Sequence, residues 1–500
     1  MRVLAMRINL LLSRLAVRRF QGPEDAEISA VCYDSREVAP GSLFVALRGA
    51  NSDGHRHLAQ AVERGAAALL VEDMPVHLPG TVACAQVDDT RRALAQVAAF
   101  FFRQPSLKLK VAGITGTNGK TTTTFLLKHI CERSMLRCGL IGTVRYEVGN
   151  EVRPSAHTTP ESSDLQALLS QMRQDTCKAV VMEVSSHALQ QGRVEQTEFD
   201  AAVFTNLTQD HLDFHGDLQT YFDAKASLFT SHLPAQSKKK GVAVINVDDR
   251  YGQELLARLP KDIKVITYGV SSRADFRASS LKVEAAGTSY QLDAQEKSFL
   301  VRVPLIGKFN VYNSLAALAA ASALGVQLRA AVLALATAPA VPGRLQLVPA
   351  KRSYQVYVDY AHTDDALHNV LRTLRELNPH RLIVVFGCGG DRDRAKRPLM
   401  AKAAEQWADY SIVTSDNPRR EQPEAIVADI KKGFQKLSYE IVVDRKQAIE
   451  KAVSLAQAKD IIVIAGKGHE AYQQFADKTV PFDDVQIARD AIEARPVNLA

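Results

Sequence analysis

The residues best equipped for chemistry begin at Gly113. The run Gly113-Ile-Thr-Gly-Thr-Asn-Gly-Lys-Thr121 has the make-up of a phosphate-binding loop. Glycines at 116 and 119 let backbone N–H groups turn inward, and a helix N-terminus behind them adds partial positive charge. Lys120 is the cation for the β- and γ-phosphates, and the Thr121 hydroxyl is a Mg²⁺ ligand. The strict pattern requires glycine at 114, where this chain has Ile114, so the loop is a variant. ATP is the expected nucleotide, although the loop alone leaves GTP open. Two later apolar runs end in polar groups: Glu183, Ser185 and His187 after one, Asn206 to His211 after the other. A hard cation takes oxygen ligands, which makes Glu183 a candidate Mg²⁺ partner for Thr121. Histidine is an unusual Mg²⁺ ligand, and His211 alone reads as a surface residue or a support to the ligands. Lys225 alone reads as a solvated helix lysine. Arg193 suits phosphate or carboxylate, and equally a free surface.

These residues need elements to position them. Strands are expected at 67–71, 108–114, 179–184, 201–206, 242–247 and 265–268, and again at 356–360, 382–386, 410–414 and 460–464. Helices are expected at 8–17, 61–68, 91–102, from 120, and at 310–324, 398–407 and 423–434. Strands alternating with helices predict an α/β protein with parallel sheets, the last region being a doubly wound sheet whose ligands bind at the carboxyl ends of its strands. Pro105 marks one boundary, and residues 338–343, with two prolines and a glycine, suit a hinge. Three domains follow: a small α/β domain at 1–107, a central P-loop domain at 108–343, and a Rossmann-like domain at 344–500.

The 500 residues carry 62 Lys+Arg against 55 Asp+Glu, a formal +7. That is mild for this length and permits anionic partners without demanding nucleic acid. Aromatics are 6%, with no basic cluster interleaved to stack bases, which argues against a nucleic-acid binder. The six cysteines form no Cys-x-x-Cys pair, which argues against zinc or a disulfide framework and for a reducing, cytoplasmic setting. No apolar run approaches the roughly 20 residues a membrane span needs. Arg2, Arg7, Arg14, Arg18 and Arg19 precede the first acidic residue, as in a transit peptide, but 8–17 reads better as a short amphipathic helix. Lys238–Lys240 reads as a solvated loop.

Taken together, the motifs resemble the Mur ligase superfamily of ATP-dependent amino-acid ligases. The resemblance covers nearly the whole chain: Thr115-Gly-Thr-Asn-Gly-Lys-Thr-Thr122, Glu183-Val-Ser-Ser-His187, Asn206 to His211, Gly307-Lys-Phe-Asn-Val-Tyr-Asn313, Pro342-Gly-Arg344 and Asp359-Tyr-Ala-His-Thr363. Tyr33-Asp-Ser-Arg36, His157-Thr-Thr-Pro160, Gly389-Gly-Asp-Arg-Asp393, Asp416-Asn-Pro-Arg419 and Gly466-Lys-Gly-His-Glu470 resemble the branch that adds diaminopimelate.

The resemblance implies the following. ATP phosphorylates the D-glutamate γ-carboxylate of UDP-N-acetylmuramoyl-L-alanyl-D-glutamate, and an amine of meso-2,6-diaminopimelate attacks the acyl phosphate, in peptidoglycan precursor synthesis. Gly116, Thr117, Asn118, Gly119, Lys120, Thr121 and Thr122 hold ATP phosphates, with Asn310 and Asn313 on the adenine side and Arg344, Asp359 and His362 approaching from the hinge and last domain. Lys225 is carbamylated by CO₂, which turns a cation into an anionic oxygen donor, and joins Thr121, Glu183 and His211 around Mg²⁺. Tyr33, Ser35, Ala50, Asn51 and Ser52 hold the UDP end. His157, Thr158, Thr159, Ser185, Gln191 and Arg193 contact the muramoyl-peptide or its phosphates. The distal centre of diaminopimelate is zwitterionic and needs a carboxylate clamp and an anion. Arg419 is the fork, Arg392 a second cation and Glu470 the acceptor, with Asp416, Asn417, Pro418 and Gly466 shaping the pocket. A lysine-adding enzyme would leave that arginine without a partner. A monomer is expected. The alternatives are a lysine-adding or folylpolyglutamate synthetase-like ligase and a P-loop module that binds nucleotide without ligating.

Overall fold

The structure, a computed structural model, describes residues 5–49, 52–210, 212–234 and 241–495. Two units emerge: Met1–Lys120 with Ile130–Thr267 and Ala316–Leu328, and Thr121–His129 with Tyr268–Leu315 and Arg329–Ala500.

The first unit opens with a five-stranded sheet in the order Arg19–Gln21, Ala83–Gln86, Ala66–Val71, Ser42–Val45, Ala30–Cys32. Its edge strand Arg19–Gln21 is antiparallel and the rest are parallel. Successive strand side chains point to opposite faces. Leu43 and Val45 therefore enter one apolar cluster with Leu94, Val97 and Phe101, while Phe44 enters another with Ala61 and Leu69. Helix Thr90–Phe101 starts where the Asp89 carboxylate accepts from Arg91 N and Arg92 N. Two expected helices are shorter than read. Residues 61–68 divide into helix Leu58–Glu63 and strand Ala66–Val71, because Gly65 sits between them at φ +94°. The N-terminal helix is only Ile8–Leu12, and Ser13 caps it by donating to Leu10 O.

The same unit carries the expected parallel core, ordered Cys138–Ile141, Ala179–Glu183, Lys110–Thr115, Ala201–Phe204, Val242–Asn246. Lys110–Thr115 is its middle strand, buried throughout after Lys110 and apolar up to Thr115, as suits a strand covered on both faces. Antiparallel strands Arg145–Val148 and Glu151–Pro154 extend it, which the sequence reading did not anticipate.

The second unit contains an antiparallel meander, Phe276–Glu284, Gly287–Ala294 and Lys297–Val303, also unanticipated. Its six-stranded sheet runs Gln346–Leu347, Gln355–Asp359, Ile461–Ala465, Leu382–Phe386, Tyr410–Val413, Tyr439–Ile441, parallel except for the first. Helices Asp364–Arg375, Lys396–Trp407 and Pro423–Lys431 pack on one face. Arg445–Leu455 and Asp484–Ala494 pack on the other. The sheet is therefore doubly wound, and the loops after Phe386, Val413 and Ala465 leave its carboxyl edge together.

Candidate active site

In the first unit the strand Lys110–Thr115 runs straight into the glycine loop. Ile114 is fully buried and pairs with Glu183 and Val203. Here the turn starts at Gly116, so glycine at 114 is unnecessary. Gly116 has φ +143°, and a Cβ there would collide with Thr205 Oγ1; Gly119 has φ +86°. The segment after strand Ala201–Phe204 fixes the loop. Asn206 O accepts from Thr117 N at 2.8 Å, Asn206 Oδ1 from Asn118 N at 2.9 Å, and Thr205 Oγ1 donates to Asn118 O at 2.7 Å. Lys120 Nζ donates to Gly116 O and Thr117 O at 3.0 and 2.9 Å.

Lys225 is not a solvated helix lysine. It is buried on helix Leu218–Ser227, donates to Gly116 O at 2.8 Å, and lies 4.4 Å from the Tyr221 ring centre. Burial, and then the charge of Lys120, push its amine well below the usual lysine range. Glu183 ends its strand buried, with Oε1 accepting from Thr143 N at 2.8 Å and Oε2 from Thr143 Oγ1 at 3.0 Å. His211, Ala50 and Asn51 lie outside the described residues, as do Lys238–Lys240.

The residues expected to meet the muramoyl-peptide form one network in this unit. Arg193 Nη1 donates to Thr159 O at 3.0 Å and Nη2 to Gln191 Oε1 at 2.7 Å, and Nε lies 3.5 Å from Glu161. Thr159 Oγ1 donates to Glu183 O at 2.9 Å and accepts from Ser185 N at 3.1 Å. Thr158 and Thr143 hydroxyls are 3.0 Å apart. His157 is anchored through its backbone to Tyr146 Oη, and burial, followed by Arg193's charge, lowers its imidazole pKa. At the expected UDP end, Tyr33 Oη donates to Asp164 Oδ2 at 2.9 Å and Ser35 Oγ to Gln60 Oε1 at 2.7 Å. Burial raises the Asp164 carboxyl. Ser52 O accepts from Gly49 N at 2.9 Å. The sequence reading missed Thr143, Glu161 and Asp164; none stands in a recognisable motif.

In the second unit Asn310 Nδ2 donates to Ile306 O and Asn313 Nδ2 to Asn310 Oδ1, both at 2.9 Å. Arg344 Nη2 donates to Thr121 Oγ1 at 3.1 Å, and its guanidinium lies 4.7 Å from the Tyr360 ring centre. Thr122 is buried. Asp359 accepts from Leu345 N at 2.6 Å and Ala361 N at 2.8 Å, and burial raises its carboxyl despite Arg344. His362 Nδ1 is 2.9 Å from Tyr360 O.

The expected amino-acid pocket lies on the carboxyl edge of the doubly wound sheet. Gly466, at φ +117°, packs against Asp416, and a Cβ there would collide with Asp416 Oδ2. Asp416 Oδ1 accepts from Asn417 N at 2.7 Å. Arg419 has φ +52°, donates Nη1 to Gly390 O at 2.7 Å, and carries no hydrogen bond on Nε or Nη2 among the described residues. Gly390 lies so close to Pro418 O that a Cβ there would collide with it. Arg392 is exposed, and its Cγ and Arg419 Nη1 both flank Gly389. Glu470 Oε2 accepts from Asn417 Nδ2 at 2.8 Å. Beneath, the fully buried pair Arg445–Asp484 ties the strand ends, with Nη1 reaching Ser415 O and Nη2 reaching Ala465 O. Lys467, Arg445 and Glu421 were missed; a charged side chain read from sequence defaults to solvent.

A glycine-turn phosphate loop on a parallel sheet, with a doubly wound sheet whose loops present a guanidinium and a carboxylate, defines a nucleotide-dependent ligase architecture. Three family models match in succession: Mur ligase family, catalytic domain, at residues 27–102; Mur ligase middle domain at 114–321; and Mur ligase, glutamate ligase domain, at 343–468. Relatives from Syntrophomonas wolfei subsp. wolfei and Halalkalibacterium halodurans are 43% and 45% identical. They cover 98% and 94% of this chain and 100% and 95% of their own, and both are named UDP-N-acetylmuramoyl-L-alanyl-D-glutamate–2,6-diaminopimelate ligase. A solved structure described as the same ligase matches with a TM-score of 0.70 at 35% identity, over 98% of this chain and 99% of its own. The chain belongs to the Mur ligase family and has its three-domain α/β architecture.

Proposed function

We propose that this enzyme is the ATP-dependent ligase that joins meso-2,6-diaminopimelate to the D-glutamate γ-carboxylate of UDP-N-acetylmuramoyl-L-alanyl-D-glutamate. Domain boundaries near 107 and 343 fit this reading. So does cytoplasmic placement, since all six cysteines are buried and none is in a disulfide among the described residues.

An amine cannot displace oxide from a carboxylate directly, because oxide is a very poor leaving group. The γ-carboxylate oxygen attacks the ATP γ-phosphorus and ADP leaves. The acyl phosphate carbonyl then takes the amine, the tetrahedral intermediate loses phosphate, and the amine's proton goes to solvent or a base. The chain's part is to position anions. Lys120 and the backbone at 119–120, where the helix begins, suit the ATP phosphates; the N–H groups of 117 and 118 are bonded to Asn206 and hold the loop in shape. Arg193, held by Gln191 and Thr159, suits the anionic muramoyl-peptide. Thr121 in one unit and Glu183 in the other each carry an oxygen of the kind Mg²⁺ takes beside nucleotide phosphates, where the ion would supply charge neutralisation. Lys225 supports a carbamate. A buried amine whose cation is disfavoured is the neutral nucleophile that captures CO₂, and ¹³C NMR of enzyme under ¹³CO₂ tests for its resonance.

The observation that carries acceptor identity is the pairing of Arg419, with Nε and Nη2 uncommitted, and Glu470 on adjacent loops. A distal carboxylate and ammonium together satisfy both; lysine satisfies one. Phosphate release with meso-diaminopimelate, L-lysine and L-ornithine, with and without the UDP-muramoyl dipeptide, tests this. Turnover is expected with diaminopimelate and only when both substrates are present. Equal turnover with lysine would overturn the acceptor assignment, and ATP hydrolysis indifferent to both would overturn the ligase.

A further inference from the structure

Lys467 stands between Gly466 and the Gly468-His-Glu470 segment of the proposed amino-acid pocket. Its side chain is 0% exposed. An ammonium taken out of water must be paired, and its partners are two side chains of the proposed amino-acid pocket. Nζ donates to Asn417 Oδ1 at 2.9 Å and to Glu470 Oε2 at 3.1 Å. Asn417 closes the triangle by donating Nδ2 to the same Glu470 oxygen at 2.8 Å, while its Oδ1 also accepts from Gln474 N at 3.0 Å. Both side-chain donors therefore grip Oε2. Among the described residues Oε1 has no hydrogen bond. Turning this carboxylate would break two charge-assisted bonds at once, one of them an ion pair. The lysine's charge opposes Glu470's, so a ligand ammonium is recognised through a hydrogen bond to one oriented oxygen.

We propose that Lys467 is a positioning residue that locks Glu470 with Oε1 presented to the distal ammonium of the incoming amino acid, and thereby sets the enzyme's preference for acceptors carrying that ammonium. This rests on the acceptor reading above. Lys467 does not touch the substrate; it acts through Glu470 and Asn417.

The test compares two acceptors on the full chain. One is meso-diaminopimelate, and the other is 2-aminopimelate, which keeps the distal carboxylate and lacks the distal amine. KM for each, and for ATP, is measured in wild type, Lys467→Met and Lys467→Gln. Loss of a charge-assisted bond that orients a ligand group predicts a rise of about tenfold or more for diaminopimelate, and of less than about threefold for 2-aminopimelate and ATP. The preference for the distal amine then collapses. Equal rises for the two acceptors, or loss of fold in both variants, overturn the proposal and leave a purely structural lysine. If wild type rejects diaminopimelate and takes lysine, the acceptor reading has failed. The same comparison, lysine against 2-aminohexanoate, then decides the role of Lys467 separately.

Discussion

At the phosphate loop the groups proposed to face the ligand are backbone N–H groups and one lysine, and glycines at φ +143° and +86° make that backbone possible. At the amino-acid pocket the groups are side chains: Arg419, Glu470 and Asn417, each held by at least one further hydrogen bond. A polyphosphate is the same in every substrate of its class, so a rigid backbone cradle suffices. An amino-acid side chain must be told from its neighbours, which requires groups with direction. Such groups need supports, and the supports are buried charges: Lys467, Arg445 with Asp484, and Arg397 with Glu421.

The sharpest way to break this contrast is Lys120→Ala. It should lower kcat/KM by about a thousandfold or more, since the transferring phosphoryl group loses its cation; near-wild-type turnover would show that the loop does not serve ATP. On the other side, Asp484→Ala leaves Arg445 buried without its anion. It should cost about 3–5 kcal/mol of stability, read by chemical denaturation, and a loss under about 1 kcal/mol would mean that the strand ends hold themselves. Arg419→Ala should raise the diaminopimelate KM by about a hundredfold while leaving that for ATP within about twofold; parallel rises in both would merge the two regions functionally.

A smaller effect concerns Glu421. Arg397's guanidinium bonds hold its carboxyl at about 2, below the usual carboxylate value of 4.5. It accepts from Asp391 N at 2.7 Å, and its own N–H donates to Pro418 O, so it pins the Arg392 loop to the segment beside Arg419. A carboxyl with a lowered folded pKa contributes its full stability above about pH 4.5 and loses it as pH falls towards about 2. Glu421→Gln should therefore lower Tm at pH 7, by a loss of about 1–3 kcal/mol, and the gap to wild type should close in acid. A gap that stayed constant down to pH 2 would assign the effect to packing.

Much of the fold was legible. Apolar runs marked the parallel strands, and apolar spacing marked the helix expected at 91–102, which the structure places at Thr90–Phe101. The antiparallel meander was legible but unread: Thr288, Tyr290, Leu292 and Ala294 are buried and alternate with partly or fully exposed residues, the period-2 signal of a sheet with one wet face. At the site, the loop glycines and lysine were readable because they act through local backbone geometry. Lys225 was not. From spacing it is one lysine on a helix, and only the family resemblance gave it a role.

The sequence by itself determined what depends on neighbours along the chain: the glycine turn, the helix caps, the strand runs and the order of the motifs. Tertiary structure decided which charges leave water. Lys467 meets Asn417 fifty residues away, Arg445 meets Asp484 thirty-nine away, and Lys225 reaches Gly116 across one hundred and nine. Burial and pairing are set by whichever segments the sheet order brings together. A side chain's type fixes its charge, and only the packed fold fixes the dielectric and the partners that give that charge a role.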